Sequence, residues 1–163
     1  MLDDGVGPAV FDQMQVYELP ENVDLFDVDT MTMSYLNMLR DYDLLITVDS
    51  VDGTGEPIGT IFRYIPDEVA LRPYGTHSLH ELQLSDLFQA ATLLGYEPEG
   101  VCLGMQVENP DPDRMTEGLT PQVHAHLGDL VEALLAELVL RGFSVKLRST
   151  GANVEPGWHH VVF

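Results

Sequence analysis

The segment Asp43–Val51, DLLITVDSV, decides the fold. Its apolar residues follow one another almost without interruption, which is typical of a strand that is covered on both faces. A strand of this kind belongs to a sheet that has helices packed on each side. The sequence therefore predicts an α/β fold built around this strand.

Shorter apolar runs and segments of helical period surround this strand on both sides. The apolar runs predict strands over Val23–Val28, Gly59–Ile65 and Val101–Val107. The helical periodicity predicts helices over Gly5–Gln15, Met31–Arg40, Leu79–Leu94 and Thr120–Arg141. This order indicates α/β layering in a single domain over residues 1–147. Residues 148–163 lack periodicity and are expected to form a C-terminal tail, either loose or docked as a strand.

The composition limits the possible partners and the compartment. Seven basic residues oppose 27 acidic ones, so the formal net charge of the 163 residues is −20. This charge repels nucleic-acid phosphates and anionic lipid surfaces and favours a cationic peptide, a metal or a basic protein patch, although acidity can also serve solubility alone. Cys102 is the only cysteine, which excludes an intramolecular disulfide and is consistent with a reducing cytoplasm. No apolar run approaches the roughly 18 residues of a membrane span.

Asp49 follows the apolar residues of the central strand directly and is the first candidate for a site residue. The carboxyl edge of an open α/β sheet is where ligands bind, because loops converge there on a crevice. The competing interpretation is that Asp49 only caps a turn beside Asp52 and Gly53. The residues by themselves leave both interpretations open.

Asp4 and His80 lie at the starts of two predicted helices. Asp4 precedes Gly5 and is either an N-cap or a ligand. His80 follows Ser78, and the Ser78-x-x-Glu81 spacing of a capping box would place it in the first helical turn, where the helix dipole favours the neutral, metal-binding ring. Two carboxylates and one imidazole at one crevice would suit a borderline divalent ion such as nickel or zinc.

Six motifs carry a resemblance to a known family. They are, in chain order, DDGVGPAV, DLLITVDSVD, GEPIGTIFRY, HSLHELQLSDLFQAATLLG, LGMQVE and EGLTPQV. In this order and spacing the chain resembles the hydrogenase maturation proteases over residues 3 to 141. The resemblance implies a three-layer sandwich with a central, twisted, mostly parallel sheet and helices on both faces.

The resemblance also implies an activity and a set of site residues. Members of the family remove a C-terminal extension from the large subunit of nickel-iron hydrogenase after nickel insertion. The family's acid, acid and histidine fall on Asp4, Asp49 and His80, and they are expected to bind nickel carried by the substrate, with no resident metal or cofactor. The implied partner is the hydrogenase large-subunit precursor, and the implied compartment is the cytoplasm.

Two departures from the family pattern define the alternatives. The sequence has Asp27-Val28-Asp29-Thr30 where many relatives have Gly-Gly-Thr, in a loop linked to the choice of hydrogenase. The family's first hydrophobic strand has no counterpart before Asp3, so we expect that Met1 is not where the fold begins. The alternative function is therefore a non-catalytic protein that binds the large subunit or a divalent ion.

Overall fold

Four strands form the central sheet in the part of the chain that the computed structural model describes, residues 3–28, 32–66, 79–108, 118–157 and 161–162. They are β2 (Leu44–Val51), β3 (Ile61–Tyr64), β4 (Glu99–Gln106) and β6 (Val161–Val162), in the order β2-β4-β3-β6. The β2–β4 and β3–β6 pairings are parallel, and the β3–β4 pairing is antiparallel. A separate antiparallel pair joins β1 (Tyr17–Glu18) to β5 (Lys146–Leu147).

Helices cover both faces of the central sheet. They are α1 (Val6–Met14), α2 (Leu79–Leu93) and α3 (Pro121–Leu140). The main core lies between the sheet and the first and third helices, and it includes Leu103 and Met105 of β4. Cys102, which alternation places on the opposite face of β4, packs towards Leu84 of α2. The predicted three-layer arrangement of sheet and helices is confirmed.

Most predicted elements are present with small changes at their ends. The apolar run of the central strand forms β2, and the next two predicted strands after it form β3 and β4. The helices predicted at the start of the chain, after residue 78 and after residue 119 form α1, α2 and α3. Each of these segments carries a local signal, which is an apolar run, a group of β-branched and aromatic residues or a helical period, and the sequence alone could therefore locate it.

The strand predicted over Val23–Val28 is wrong, because these residues have no regular secondary structure. The segment packs in part against the main core, and two contacts also link it to Tyr42. The Tyr42 hydroxyl donates a 2.6 Å hydrogen bond to Asp24, and the Phe26 ring meets the Tyr42 ring edge-on at 6.2 Å between centroids. A strand needs a hydrogen-bonded neighbour, and no described strand lies beside this one.

The single helix predicted over Met31–Arg40 is also wrong. The described part of that segment forms two short 3-10 turns, Thr32–Tyr35 and Met38–Asp41. Leu36 and Leu39, three positions apart, pack towards α2. A spacing of three matches the 3-10 repeat as well as one face of an α-helix, so periodicity could not separate the two.

The predicted C-terminal tail contacts the rest of the chain at two described places. The Val161–Val162 strand pairs in parallel with Ile61 and Phe62 of β3. The backbone N–H of Gly157 donates a 3.0 Å hydrogen bond to the Glu132 carboxylate of α3. His159 and His160, which adjoin this strand, lie outside the described residues.

A charged network fixes the end of α3 to the sheet. The Glu137 carboxylate is almost fully buried and accepts hydrogen bonds from Arg63 of β3 at 2.9 and 3.0 Å. It also accepts one from Arg141 at 2.8 Å, and Arg141 in turn donates to Glu99 at the start of β4. The hydrogen bonds from Arg63 are the main cause that lowers the pKa of Glu137 below its usual value, against the opposing effect of burial.

Replacing Glu137 by Gln is expected to lower the free energy of unfolding at pH 7 by about 1–3 kcal/mol, since charged hydrogen bonds to two arginines are lost. Because the pKa of Glu137 is lower in the folded state than in the unfolded state, its ionised form stabilises the fold. This stabilisation is fully present above the unfolded-state pKa and is lost as the pH falls through the folded-state pKa. The difference from wild type should therefore shrink below pH of about 4. Urea unfolding at pH 7 and pH 3 measures both effects.

The exposed Glu97 supplies a matched control for this substitution. Glu97→Gln removes the same charge from the surface and should change the free energy of unfolding by less than about 0.5 kcal/mol at either pH. Equal effects of the two substitutions at pH 7 would contradict the stabilising role of the Glu137 network.

Candidate functional site

The first turns of all three helices lie towards the carboxyl edge of β2 and β4. Arg141, just past the end of α3, bonds to Glu99 at the start of β4, so α3 begins near the other end of that strand. In α1, an added Cβ on Gly7 would lie only 3.2 Å from the carbonyl oxygen of Val48, late in β2. Because helix N-termini carry partial positive charge, they stabilise the carboxylate side chains of this protein that lie at this edge.

A cleft of about 980 Å³ opens beside β2. It lies between α1, the irregular segment Val23–Val28, and the edge of β2 that faces away from β4. Apolar side chains from both faces of the sheet line it, including Val10 and Leu134 from one face and Leu84 and Leu87 from the other. The cleft therefore passes around the open edge of the sheet. Among the described residues, no strand pairs with that edge.

The register of β2 explains how Asp49 reaches this cleft. The carbonyl groups of Asp43 and Val51 accept hydrogen bonds from backbone N–H groups at the two ends of β4. Backbone groups of successive residues in a strand point to alternate sides, so the even-numbered residues between these two direct their backbone groups to the open edge. The backbone N–H of Ser50 at that edge donates a 2.8 Å hydrogen bond to Oδ1 of Asp49. The half-buried Asp49 carboxylate thus lies at the carboxyl end of the open edge and lines the cleft.

Asp4 lines the same cleft as Asp49. It lies in a 3-10 turn, Asp3–Gly5, that leads directly into α1. The prediction that Asp4 caps this helix is wrong, because Gly5 occupies the N-cap position and no side-chain hydrogen bond caps the helix. The close approach of Gly7 to Val48 brings the start of α1, and with it Asp4, to the end of β2.

The backbone of His80 is placed near the level of Asp49. Leu87 of α2 packs in one cluster with Leu45 of β2, and Leu84 packs with Cys102, the partner of Thr47. His80 lies four residues before Leu84, about one helical turn or 6 Å along α2. Asp49 lies two residues after Thr47, a similar distance along β2. The His80 side chain, together with His77 and Ser78, lies outside the described residues.

The described side chains do not assemble a complete metal site. No group of three or more His, Cys, Asp or Glu side chains among them is close enough to hold an ion. Of the three predicted ligands, Asp4 and Asp49 line one cleft. The backbone of His80 lies at about the level of Asp49 along the sheet, and its side chain lies outside the described residues. Their role as metal ligands stays a prediction.

The cleft has a strongly acidic character. Its lining has aspartates at six positions and, in the described part of the chain, no lysine, arginine or histidine; the aspartates are Asp4, Asp24, Asp27, Asp41, Asp43 and Asp49. The hydrogen bond to Asp24 raises the pKa of the Tyr42 hydroxyl at one side of the cleft. A cleft of this charge attracts cations and repels free carboxylates.

Sequence reasoning missed the role of Asp3. Its side chain is fully buried, at 0% exposure, and bonds to Thr120, the N-cap of α3. Oδ1 of Asp3 accepts from the Thr120 N–H at 2.8 Å, and Oδ2 accepts from the Thr120 hydroxyl at 3.2 Å. No local pattern links residues 117 positions apart, so the sequence carried no signal for this contact.

Solved endopeptidases share this fold. The structure of the hydrogenase maturating endopeptidase HybD from Escherichia coli superimposes with a TM-score of 0.80, at 30% identity and over 91% of each chain. The solution structure of another Escherichia coli endopeptidase gives a TM-score of 0.76 at 27% identity, again over 91% of each chain. The shared fold and the 30% identity to the first of these structures therefore place the chain among endopeptidases of this class.

One family accounts for most of the chain. The family model described as hydrogenase maturation protease, HycI, matches residues 8–137, and the chain belongs to this family. The hydrogenase 2 maturation protease of Escherichia coli strain K12 is 29% identical over 140 residues, which are 85% of this chain and 84% of that protein. The hydrogenase expression/formation protein HupD of Rhizobium leguminosarum bv. viciae is 27% identical over 161 residues, 97% of this chain and 78% of that protein.

No helix in the described parts of the chain has the length and apolar character that a membrane span requires.

Proposed function

We propose that this protein is an endopeptidase that removes the C-terminal extension of a nickel-iron hydrogenase large-subunit precursor after nickel has been inserted. In this proposal Asp4, Asp49 and His80 contact the nickel that the precursor carries. The protein needs no resident metal, since the ion arrives with the substrate. The observation that carries the proposal is the shared cleft of Asp4 and Asp49 in a chain of the hydrogenase maturation protease family.

The geometry of the carboxyl edge supports this assignment. Asp4 and Asp49 come from different elements, a turn before α1 and the end of β2, and both line one cleft. His80 is the second residue of α2, and its backbone lies at about the level of Asp49 along the sheet. Two carboxylates and an imidazole form a mixed oxygen and nitrogen ligand set, which suits a borderline divalent ion.

The number of ligands supports a metal that is delivered and not retained. Three protein ligands leave further coordination positions for groups of the precursor. Acidic side chains throughout the cleft favour the approach of a cationic centre, and they disfavour a precursor that lacks its metal charge. Nickel held beside the scissile peptide would supply Lewis acidity that polarises a carbonyl or a water molecule.

The proposed processing is tested with purified precursor loaded with nickel. Incubation with this protein should release the C-terminal extension, and intact-mass spectrometry should show one shortened large subunit. Asp12→Asn, a substitution of an exposed aspartate on α1 outside the cleft lining, serves as the charge-matched control and should process at the wild-type rate. A precursor of unchanged mass after prolonged incubation would contradict the endopeptidase function.

The alternative of a non-catalytic binding protein has a different outcome in the same experiment. It predicts that the protein and the loaded precursor elute together in size-exclusion chromatography while the precursor keeps its full mass. Release of the extension would exclude this alternative.

A further inference from the structure

We propose that Asp3 is the positioning residue of the site, holding Asp4 in the cleft by anchoring the Asp3–Gly5 turn on the N-terminus of α3. This inference rests on the proposed function, in which Asp4 contacts the nickel of the precursor. Asp3 itself is fully buried and does not line the cleft.

The anchor begins with the contact between Asp3 and Thr120. Both carboxylate oxygens of Asp3 accept hydrogen bonds from Thr120, one from its backbone N–H and one from its hydroxyl. A bond to each oxygen fixes the orientation of the carboxylate as well as its position. A buried carboxylate is stable here because the free N–H groups and the dipole of α3 favour negative charge.

The anchor is rigid because Thr120 is itself fixed. Its hydroxyl accepts a hydrogen bond from the backbone N–H of Val123, so it caps the first turn of α3. Val123 is fully buried in the main core, and the 20-residue helix that follows contributes much of that core. The Asp3–Gly5 turn is therefore bonded to one of the most extensively packed helices of the described residues.

The same anchor determines where Asp4 lies. Asp4 follows Asp3 directly in a 3-10 turn and has no side-chain cap interaction with α1. On the other side of that turn, Val6 is fully buried in the same core as Val123. Asp4 is thus held between two buried residues, and its half-buried side chain lines the cleft with Asp49. Groups that orient a ligand residue in this way typically change activity about 10–100-fold when they are removed.

The test compares Asp3→Ala with Asp3→Asn in cleavage of the nickel-loaded precursor. Asp3→Ala removes both hydrogen bonds, and kcat should fall about 10–100-fold while KM changes less than about threefold, because a misplaced ligand affects the reacting geometry. Asp3→Asn keeps an oxygen that accepts from the Thr120 N–H, and its amide N–H can donate to the Thr120 hydroxyl oxygen, so it should retain at least about a third of the wild-type kcat. An Asp3→Ala protein with wild-type kcat would overturn the inference.

Arg141→Ala separates positioning from loss of stability. Arg141 lies at the opposite end of α3 and bonds to Glu137 and Glu99, so its loss weakens the same helix without touching the cleft. Urea midpoints are measured for both alanine variants. Arg141→Ala should keep the wild-type kcat at temperatures where both variants are folded. Equal fractional losses of kcat in Asp3→Ala and Arg141→Ala would overturn the positioning role.

A second pair of variants serves if Asp3→Ala does not fold. Thr120→Ser keeps the hydroxyl that Asp3 accepts from, whereas Thr120→Val removes it. Thr120→Val should lower kcat at least about threefold relative to Thr120→Ser, since one of two orienting bonds is lost. Equal kcat in the two variants would contradict the inference.

Wild-type cleavage is measured before any variant. Absence of wild-type cleavage would contradict the proposed function, whereas wild-type cleavage that is unchanged by these substitutions would contradict the positioning role alone.

Discussion

Replacing Asp49 by Asn is expected to lower the rate of cleavage of nickel-loaded precursor by at least about 100-fold, since loss of a direct ligand should exceed the effect of losing an orienting group. The amide has the shape of the carboxylate, and its oxygen can still accept the hydrogen bond from the Ser50 N–H. The fold should therefore remain intact. The negative charge that would face the metal is lost.

Asp52→Asn is the matched control for this result. Asp52 follows β2 by one residue, is half-buried and does not line the cleft. Removing its charge alters the net charge of the protein by the same amount, and we expect the wild-type cleavage rate. An Asp49→Asn protein that cleaves within about threefold of wild type would exclude Asp49 as a nickel contact.

Replacing Leu130 by Ala is expected to lower the free energy of unfolding by about 2–5 kcal/mol, because it leaves a cavity in the main core. Leu130 is fully buried in the middle of α3, within the cluster that also includes Val10 of α1 and Met105 of β4. This substitution therefore tests the packing of both helices against the sheet. Urea unfolding monitored by circular dichroism measures the change.

The same substitution at the end of the same helix supplies the control. Leu140 is 84% exposed, and Leu140→Ala should change the free energy of unfolding by less than about 0.5 kcal/mol. Similar losses for the two substitutions would contradict the placement of the core between α3 and the sheet.

The sequence predicted the elements whose signal is local. The continuous apolar run of β2 and the long amphipathic period of α3 each identify one type of element without reference to the rest of the chain. Val23–Val28 was wrongly predicted as a strand because its composition favours strands but its pairing depends on a neighbour. The two 3-10 turns near residues 32–41 were missed because their apolar spacing fits two helical repeats.

The site was predictable to the extent that it depends on element ends. Asp49 was identified from its position after β2, and it does line the cleft at the carboxyl edge. Asp4 was identified as a cap or a ligand, and the structure excludes the cap. The bonds of Asp3 to Thr120, and of Arg63 to Glu137, join residues 117 and 74 positions apart, so they follow from the tertiary fold and could not be read from local sequence.

We expect cleavage to depend on nickel carried by the precursor. This dependence is tested most directly by comparing the initial cleavage rates of nickel-loaded and nickel-free precursor under identical conditions, with mass spectrometry of the released extension. We expect the loaded precursor to be processed and the nickel-free precursor to keep its extension. Equal rates for the two precursors would contradict nickel recognition by Asp4, Asp49 and His80.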